Sequence, residues 1–133
     1  MEVIPADSRK SARAPAEYFT GEVWTDLIVS PTEPARLKAL KVTFAPGART
    51  AWHTHPLGQV LHVLSGIGRV QLAGKPAQTL RPGDTAVIAP GERHWHGAAP
   101  GHTFVHLAMQ NSDASGHEVA WAEHVTDTEY HAS

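Results

Sequence analysis

Short apolar runs, broken at close and regular intervals by glycine and proline, constrain the fold of this chain more than any other feature. The 11 Gly and 10 Pro residues lie between the runs rather than in one tract. Turn signals of this kind stand at 45–47, 74–76, 81–84 and 90–92, and no long helical period separates them. The pattern predicts nine or ten short strands, which is typical of an all-β sandwich or barrel. A jelly-roll barrel would protect the strand edges and leave an interior able to hold a site.

Three of the predicted strands show how the interior is built. In 36–44, Leu40, Val42 and Phe44 share one face, and in 102–110 the inward set is Phe104, His106, Ala108 and Gln110. The run 59–65 is almost continuously apolar, so we expect it to be central or buried on both faces.

The two ends of the chain carry weaker signals. Residues 1–16 mix Pro, Ala, Ser and charge without a period, and we interpret them as an N-terminal arm, with the barrel covering 17–133. Near the other end, Thr126 and Glu129 have the spacing of a capping box, which predicts a short C-terminal helix.

Composition excludes several classes of function. At 133 residues the chain is one domain, and its net charge of -2 comes with no basic stripe that could attract nucleic acid. Cysteine is absent, which removes thiolate catalysis and Cys-ligated zinc. We find neither a secretory signal nor an apolar stretch of membrane-spanning length, so we expect a cytoplasmic protein with no membrane partner.

Histidine stands out, with 10 residues, and its placement indicates a metal site. His53 and His55 are two residues apart in an extended segment, so both side chains point to one face. Gln59 follows a Pro-Leu-Gly turn and can return towards the same point, and His94 and His96 repeat the His-x-His spacing. Imidazoles and an amide oxygen suit a first-row divalent metal.

These two stretches resemble the two motifs of the cupin family. Gly47, His53, His55 and Gly66 match the first motif, and Gln59 stands where an acidic residue is usual. In the second motif, Gly83, Gly91 and His94 match, whereas Ala89 replaces a proline and Ala98 an asparagine. The resemblance implies a single-domain cupin jelly-roll β-barrel.

Within that family, the chain is most similar to the bacterial cupin-type, manganese-dependent hydroxynitrile lyases. The similarity runs from Phe19 to the 123–127 tail. It implies a Mn(II) site, reversible cleavage of α-hydroxynitriles such as mandelonitrile to an aldehyde or ketone and HCN, and a base at His106. The implied metal ligands are His53, His55, Gln59 and His94.

A neutral Gln59 among the ligands would leave the full dipositive charge on the metal–ligand set and strengthen its Lewis acidity. Fe, Ni or Zn would also suit these donors.

Other residues receive roles with open alternatives. His96 shares the face of His94 and is either catalytic or a histidine outside the reaction, and Thr50 and Gln110 are candidates for holding substrate or cyanide. Trp52 and Trp95 alternate away from the ligands and should pack outside the site. The candidate walls of a substrate pocket, equally well explained as plain core, are Leu40, Val42, Phe44 and Leu61.

Two other functions compete with the lyase hypothesis. A small cupin with a metal can be an oxygenase, and a third alternative is a non-catalytic cupin that binds a small ligand. In each case the partner is a small molecule. We also expect a homo-oligomer, either a dimer or a tetramer, with the segment around Tyr18, Phe19 and Trp24 as a candidate interface.

Overall fold

Antiparallel strands make up most of the regular structure in the computed structural model. It describes residues 1–132, so Ser133, the last residue of the predicted barrel, lies outside the described residues. Of 13 strands in the described part, five have only two residues, which explains why the sequence predicted fewer. The strands are β1 Ala12–Arg13, β2 Phe19–Thr20, β3 Val23–Val29, β4 Leu37–Phe44, β5 Arg49–Thr50, β6 His53–Thr54, β7 Gln59–Gly66, β8 Gly68–Leu72, β9 Gln78–Leu80, β10 Thr85–Ile88, β11 His94–Ala98, β12 Phe104–Asn111 and β13 Ala120–Trp121.

The strands form two sheets. The first has six strands in the order β1-β3-β4-β12-β7-β10. The second follows the order β13-β6-β11-β5-β2, with β8 paired to β11 and β9 paired to β8. Their facing apolar side chains form the core, which includes Val23, Phe44, Leu61 and Phe104. This arrangement confirms the prediction of an all-β jelly-roll barrel.

Alternating burial along the long strands fixes which side chains reach the interior. On β12, Phe104, His106, Ala108 and Gln110 are all buried, as predicted. Strand β7 lies centrally between β12 and β10, but only one of its faces is covered, since Leu64 is 43% exposed. Central position, not burial on both faces, therefore explains its apolar run.

The turn between β6 and β7 carries the chain from one sheet to the other. Gly58 has a φ of +80°, and a Cβ there would lie 2.6 Å from the carbonyl oxygen of Ile88. Only glycine fits this left-handed position without strain. The turn brings Gln59, at the start of β7, back towards His55.

The N-terminal arm is partly built into the barrel. A 3₁₀ turn covers Ala6–Ser8, and β1 pairs antiparallel with β3 through Ala12 and Arg13. The arm thereby extends the six-stranded sheet at one edge.

The C-terminal segment forms helix α1, Asp127–Ala132, as its capping box predicts. Thr126 Oγ1 accepts from the backbone N–H of Glu129, and Glu129 Oε1 accepts from that of Thr126, at 3.1 and 2.9 Å. Tyr130 packs in a second apolar cluster with Trp52, Trp95 and Val125. The two tryptophans therefore lie outside the site, as predicted.

No helix in residues 1–132 is long and apolar enough to span a membrane.

Candidate metal centre and active-site cavity

Three buried histidines converge at the place where β6 meets β11. His53 and His94 are directly opposite each other in the strand register, and their ring centroids lie 4.2 Å apart. His55 follows β6, with its ring 5.1 Å from that of His53 and 5.6 Å from that of His94. The structure therefore brings together all three histidines that the sequence nominated as ligands.

The hydrogen bonds of these three rings fix which nitrogen faces inward. Each Nδ1 lies at hydrogen-bond distance from a backbone carbonyl: Ala51 for His53 (2.8 Å), Glu118 for His55 (2.6 Å) and Glu92 for His94 (2.9 Å). Since a carbonyl only accepts, each Nδ1 carries the proton. Each neutral ring then keeps a lone pair on Nε2. Metal-ligating histidines typically have this arrangement.

Gln59 adds an oxygen to the same point. Its Oε1 lies 3.1 Å from His94 Nε2, while its amide group donates to Gln110 Oε1 at 3.2 Å. Burial lowers the pKa of His94 to about 4, so the ring is neutral at pH 7. The lone pairs of His94 Nε2 and Gln59 Oε1 therefore face each other across 3.1 Å. A cation bound by both atoms would satisfy them.

The buried imidazole nitrogens of the site show whether its residues fit a cation. His55 Nε2 is buried without a hydrogen-bond partner, and an unpaired polar atom in the interior is costly. Burial also lowers the pKa of His53 and His55, which keeps their lone pairs available. Neutral imidazoles and an amide oxygen suit a first-row divalent metal. These donors fit such an ion.

His96 lies as close to this centre as the nominated ligands do. One ring nitrogen from each of His53, His94 and His96 falls within 4.8 Å of the others, and all three residues are buried. This buried three-histidine cluster indicates a metal ion without identifying it. His96 Nδ1 faces away, 3.0 Å from Nε2 of His106, whereas His96 Nε2 has no hydrogen-bond partner.

A cavity of about 370 Å³ opens beside the cluster. Of the residues that the sequence nominated, seven side chains besides that of His96 line it: Leu40, Val42, Thr50, His53, His55, Gln59 and Gln110. Four other nominated residues, Phe44, Leu61, His94 and His106, are not among its lining residues. Phe44 packs against the rings of His96 and His106 at 6.0 and 5.3 Å, and Leu61 is core.

No sequence pattern predicts the aromatic wall of the cavity. Trp121 stacks on Tyr18 at 4.8 Å and lies 4.7 Å from the ring of His53, and Phe19 completes the group. Tyr18 and Phe19, which the sequence suggested for an oligomer interface, line this cavity. Trp121 reaches the site because β13 pairs with β6, where it lies opposite His53. No local spacing in the sequence signals that pairing.

Comparisons with known proteins decide the family. The model of the cupin domain matches residues 40–108, which contain both histidine motifs. The chain belongs to the cupin family. Its sequence is 48% identical over 130 residues to a protein from Granulicella tundricola named (R)-mandelonitrile lyase, and the match covers 98% of each chain.

Solved structures agree with this fold. A cupin-like protein from Thermotoga maritima superposes with a TM-score of 0.86 at 38% identity, with 91% of both chains covered. The polyketide cyclase RemF from Streptomyces resistomycificus superposes with a TM-score of 0.75 over 98% of this chain and 90% of its own. At 19% identity, the second match supports the fold alone.

Proposed function

We propose that this cupin is a metal-dependent hydroxynitrile lyase, which reversibly cleaves α-hydroxynitriles such as mandelonitrile to an aldehyde or ketone and HCN. The full-length relationship to (R)-mandelonitrile lyase carries the proposal. The cavity supports it, because its lining includes His53 and His96 of the histidine cluster and an aromatic wall, and His106 is hydrogen-bonded behind His96.

In this proposal, His53, His55, His94 and Gln59 hold the metal, which we take to be Mn(II). A divalent ion there supplies Lewis acidity, which lowers the pKa of a hydroxyl group. Because Gln59 is neutral, no protein charge offsets that of the ion at this position. Fe, Ni and Zn remain alternatives that elemental analysis will distinguish.

His96 and His106 form the proton acceptor. His96 lines the cavity and His106 lies behind it, so the substrate hydroxyl meets His96 Nε2 first. Burial lowers the pKa of both rings, that of His106 to about 3, so both are neutral at pH 7. As His96 Nε2 takes the hydroxyl proton, the proton on His96 Nδ1 passes to His106 Nε2.

The proposed reaction continues with cleavage of the carbon–carbon bond and release of HCN. Loss of the hydroxyl proton lets the carbonyl form as the carbon–carbon bond to the nitrile breaks, and the electron pair leaves with cyanide. The histidine pair then returns the proton, and HCN departs. Donors for the cyanide are the amide group of Gln110, whose oxygen is occupied by Gln59, and the hydroxyl of Thr50.

The cavity wall suits an aromatic substrate. Leu40 and Val42 supply an apolar side, and Trp121 and Tyr18 supply stacked rings. Phe44 and Leu61 support this wall from the core rather than contacting the substrate. A cavity of about 370 Å³ falls within the usual range for a small-molecule site.

The decisive experiment combines elemental analysis of the purified protein with a mandelonitrile cleavage assay, followed through benzaldehyde absorbance, with and without added Mn(II). We expect a bound divalent metal and Mn-dependent release of benzaldehyde and cyanide. A metal-loaded protein without cyanohydrin cleavage would contradict the lyase proposal. Metal-dependent oxygen consumption with a phenol, alkene or diketone would then favour an oxygenase.

We also propose a homo-oligomer, a dimer or tetramer, formed through the outer face of the six-stranded sheet. Apolar side chains on this face include Leu37, Leu64 and Val87, which are 46%, 43% and 78% exposed. Val87→Asp should reduce the mass measured by light scattering, whereas Thr79→Asp, on the other sheet, should not. A monomeric wild-type protein would contradict this proposal.

A further inference from the structure

The three ligand histidines differ in what holds their Nδ1 protons. His53 and His94 each use the carbonyl of the residue two positions earlier, Ala51 and Glu92, so the local chain orients them. His55 instead uses the carbonyl of Glu118, 63 residues away, at 2.6 Å. Its orientation therefore depends on a remote segment.

That segment is the irregular connection between β12 and β13. Its first half closes on itself, because Asp113 Oδ1 accepts from the backbone N–H groups of Ser115 and His117, each at 2.9 Å. Glu118 follows this turn and belongs to no strand. Its side chain receives a hydrogen bond from Lys38 Nζ at 2.6 Å.

Lys38 is well placed to hold Glu118 over the cavity. It lies on β4 directly opposite Gln110, and partners in an antiparallel register share a face, so Lys38 belongs to the inner face of the sheet. The two side chains are 29% and 19% exposed, and both residues line the cavity. A partly buried pair is less screened by solvent than a surface pair.

We propose that the Lys38–Glu118 ion pair is a positioning device for His55, which holds the Glu118 carbonyl where it fixes the proton on His55 Nδ1. The inference rests on the proposed metal site but not on the reaction performed there. Breaking the pair frees the connection, His55 loses its preferred tautomer, and the metal loses a pre-oriented ligand. Changes in such outer partners typically weaken metal binding by about 10–100-fold.

The first test measures Mn(II) affinity by chelator competition for Lys38→Met and Glu118→Gln. Both variants should bind at least about tenfold more weakly, and Lys38→Arg, which keeps a long cationic donor, should restore the affinity. Glu33→Gln is the matched control, since it breaks the exposed Arg36–Glu33 pair, and Glu33 lines the same surface groove as Lys38 and Glu118. Unchanged Mn(II) affinity in both variants would overturn the proposal, even if their melting temperatures were lower than that of the wild type.

The second test follows the imidazole nitrogens of the metal-free protein by ¹H–¹⁵N NMR. In Lys38→Met we expect His55 to become a mixture of tautomers, while His53 and His94, with their local carbonyls, keep the proton on Nδ1. An unchanged His55 signal would overturn the proposal. Should Lys38→Met not fold, Glu118→Gln is measured in the same way. A weakened metal site in a protein without cyanohydrin cleavage would leave this inference standing and remove only the lyase proposal.

Discussion

His106 lies directly behind His96, with its Nε2 3.0 Å from His96 Nδ1. Of these two histidines, His96 lines the cavity and His106 does not. In the proposed mechanism, the proton acceptor therefore has two members, His96 at the cavity and His106 buried behind it.

The pair should behave as a unit in kinetics. We expect His96→Ala and His106→Ala each to lower kcat by about 10²–10⁴-fold, with the bound metal retained. The double variant should be little worse than either single one, because each loss already breaks the relay. The control is His62→Ala, because His62 is hydrogen-bonded to Thr85 outside the site. Multiplicative losses would argue against a shared path.

Removing the metal should cost both activity and stability. A chelator-treated protein should lose cyanohydrin cleavage and melt at a lower temperature, and both should return with Mn(II). Binding only the folded state stabilises it by about 2.7 kcal/mol when the free metal is at 100 times Kd. We expect His53→Ala to abolish this metal-dependent rise in Tm, measured calorimetrically. His102→Ala, in an exposed turn, should behave like the wild type.

The aromatic wall should set substrate preference. Trp121→Leu should lower kcat/KM for mandelonitrile relative to an aliphatic cyanohydrin by up to about tenfold, because aromatic contacts contribute about 0.5–1.5 kcal/mol beyond area. Trp24→Leu is the control, because it makes the same substitution on β3, outside the cavity lining. Equal losses for both substrates would show that Trp121 supports the fold only.

Buried Arg49 should anchor the C-terminal helix. It donates to the Val125 carbonyl from Nε and Nη2, at 3.2 and 2.9 Å, and lies 4.5 Å from the ring centre of Tyr130. Arg49→Met leaves that carbonyl unpaired, so we expect a loss of about 1–3 kcal/mol in the free energy of unfolding. Urea denaturation measures it, and a loss within error would contradict the anchoring role.

The neighbouring Asp127 gives a pH-dependent prediction. The hydrogen bond from Arg49, and then its positive charge, hold the pKa of Asp127 below its ordinary value of 3.8. A lowered carboxyl pKa stabilises the folded state above pH 3.8, and the contribution fades as pH falls through the folded-state pKa. Asp127→Asn should therefore be slightly less stable than wild type at pH 7 and equal to it at strongly acid pH. A difference that grows on acidification would contradict this sign.

The sequence alone determined the fold class and nominated the histidines of the candidate metal site. Turn residues at short intervals and period-two burial are local signals, and they correctly predicted the jelly roll and the buried faces of β4 and β12. The spacing of His53 and His55 placed both side chains on one face for the same reason, whereas the resemblance to the cupin motifs added Gln59 and His94 as ligands. The capping box at Thr126 likewise predicted helix α1, because both of its hydrogen bonds lie within one turn.

Tertiary structure decided everything that depends on distant pairing. Glu118 reaches His55 and Trp121 reaches His53 only because β13 adds to β6, and short strands of two residues carry no period that predicts such a neighbour. Strand phase predicted that His96 and His106 point inward. Which of the two meets the cavity follows from how the two sheets close over it, because depth in a barrel is a property of both sheets together.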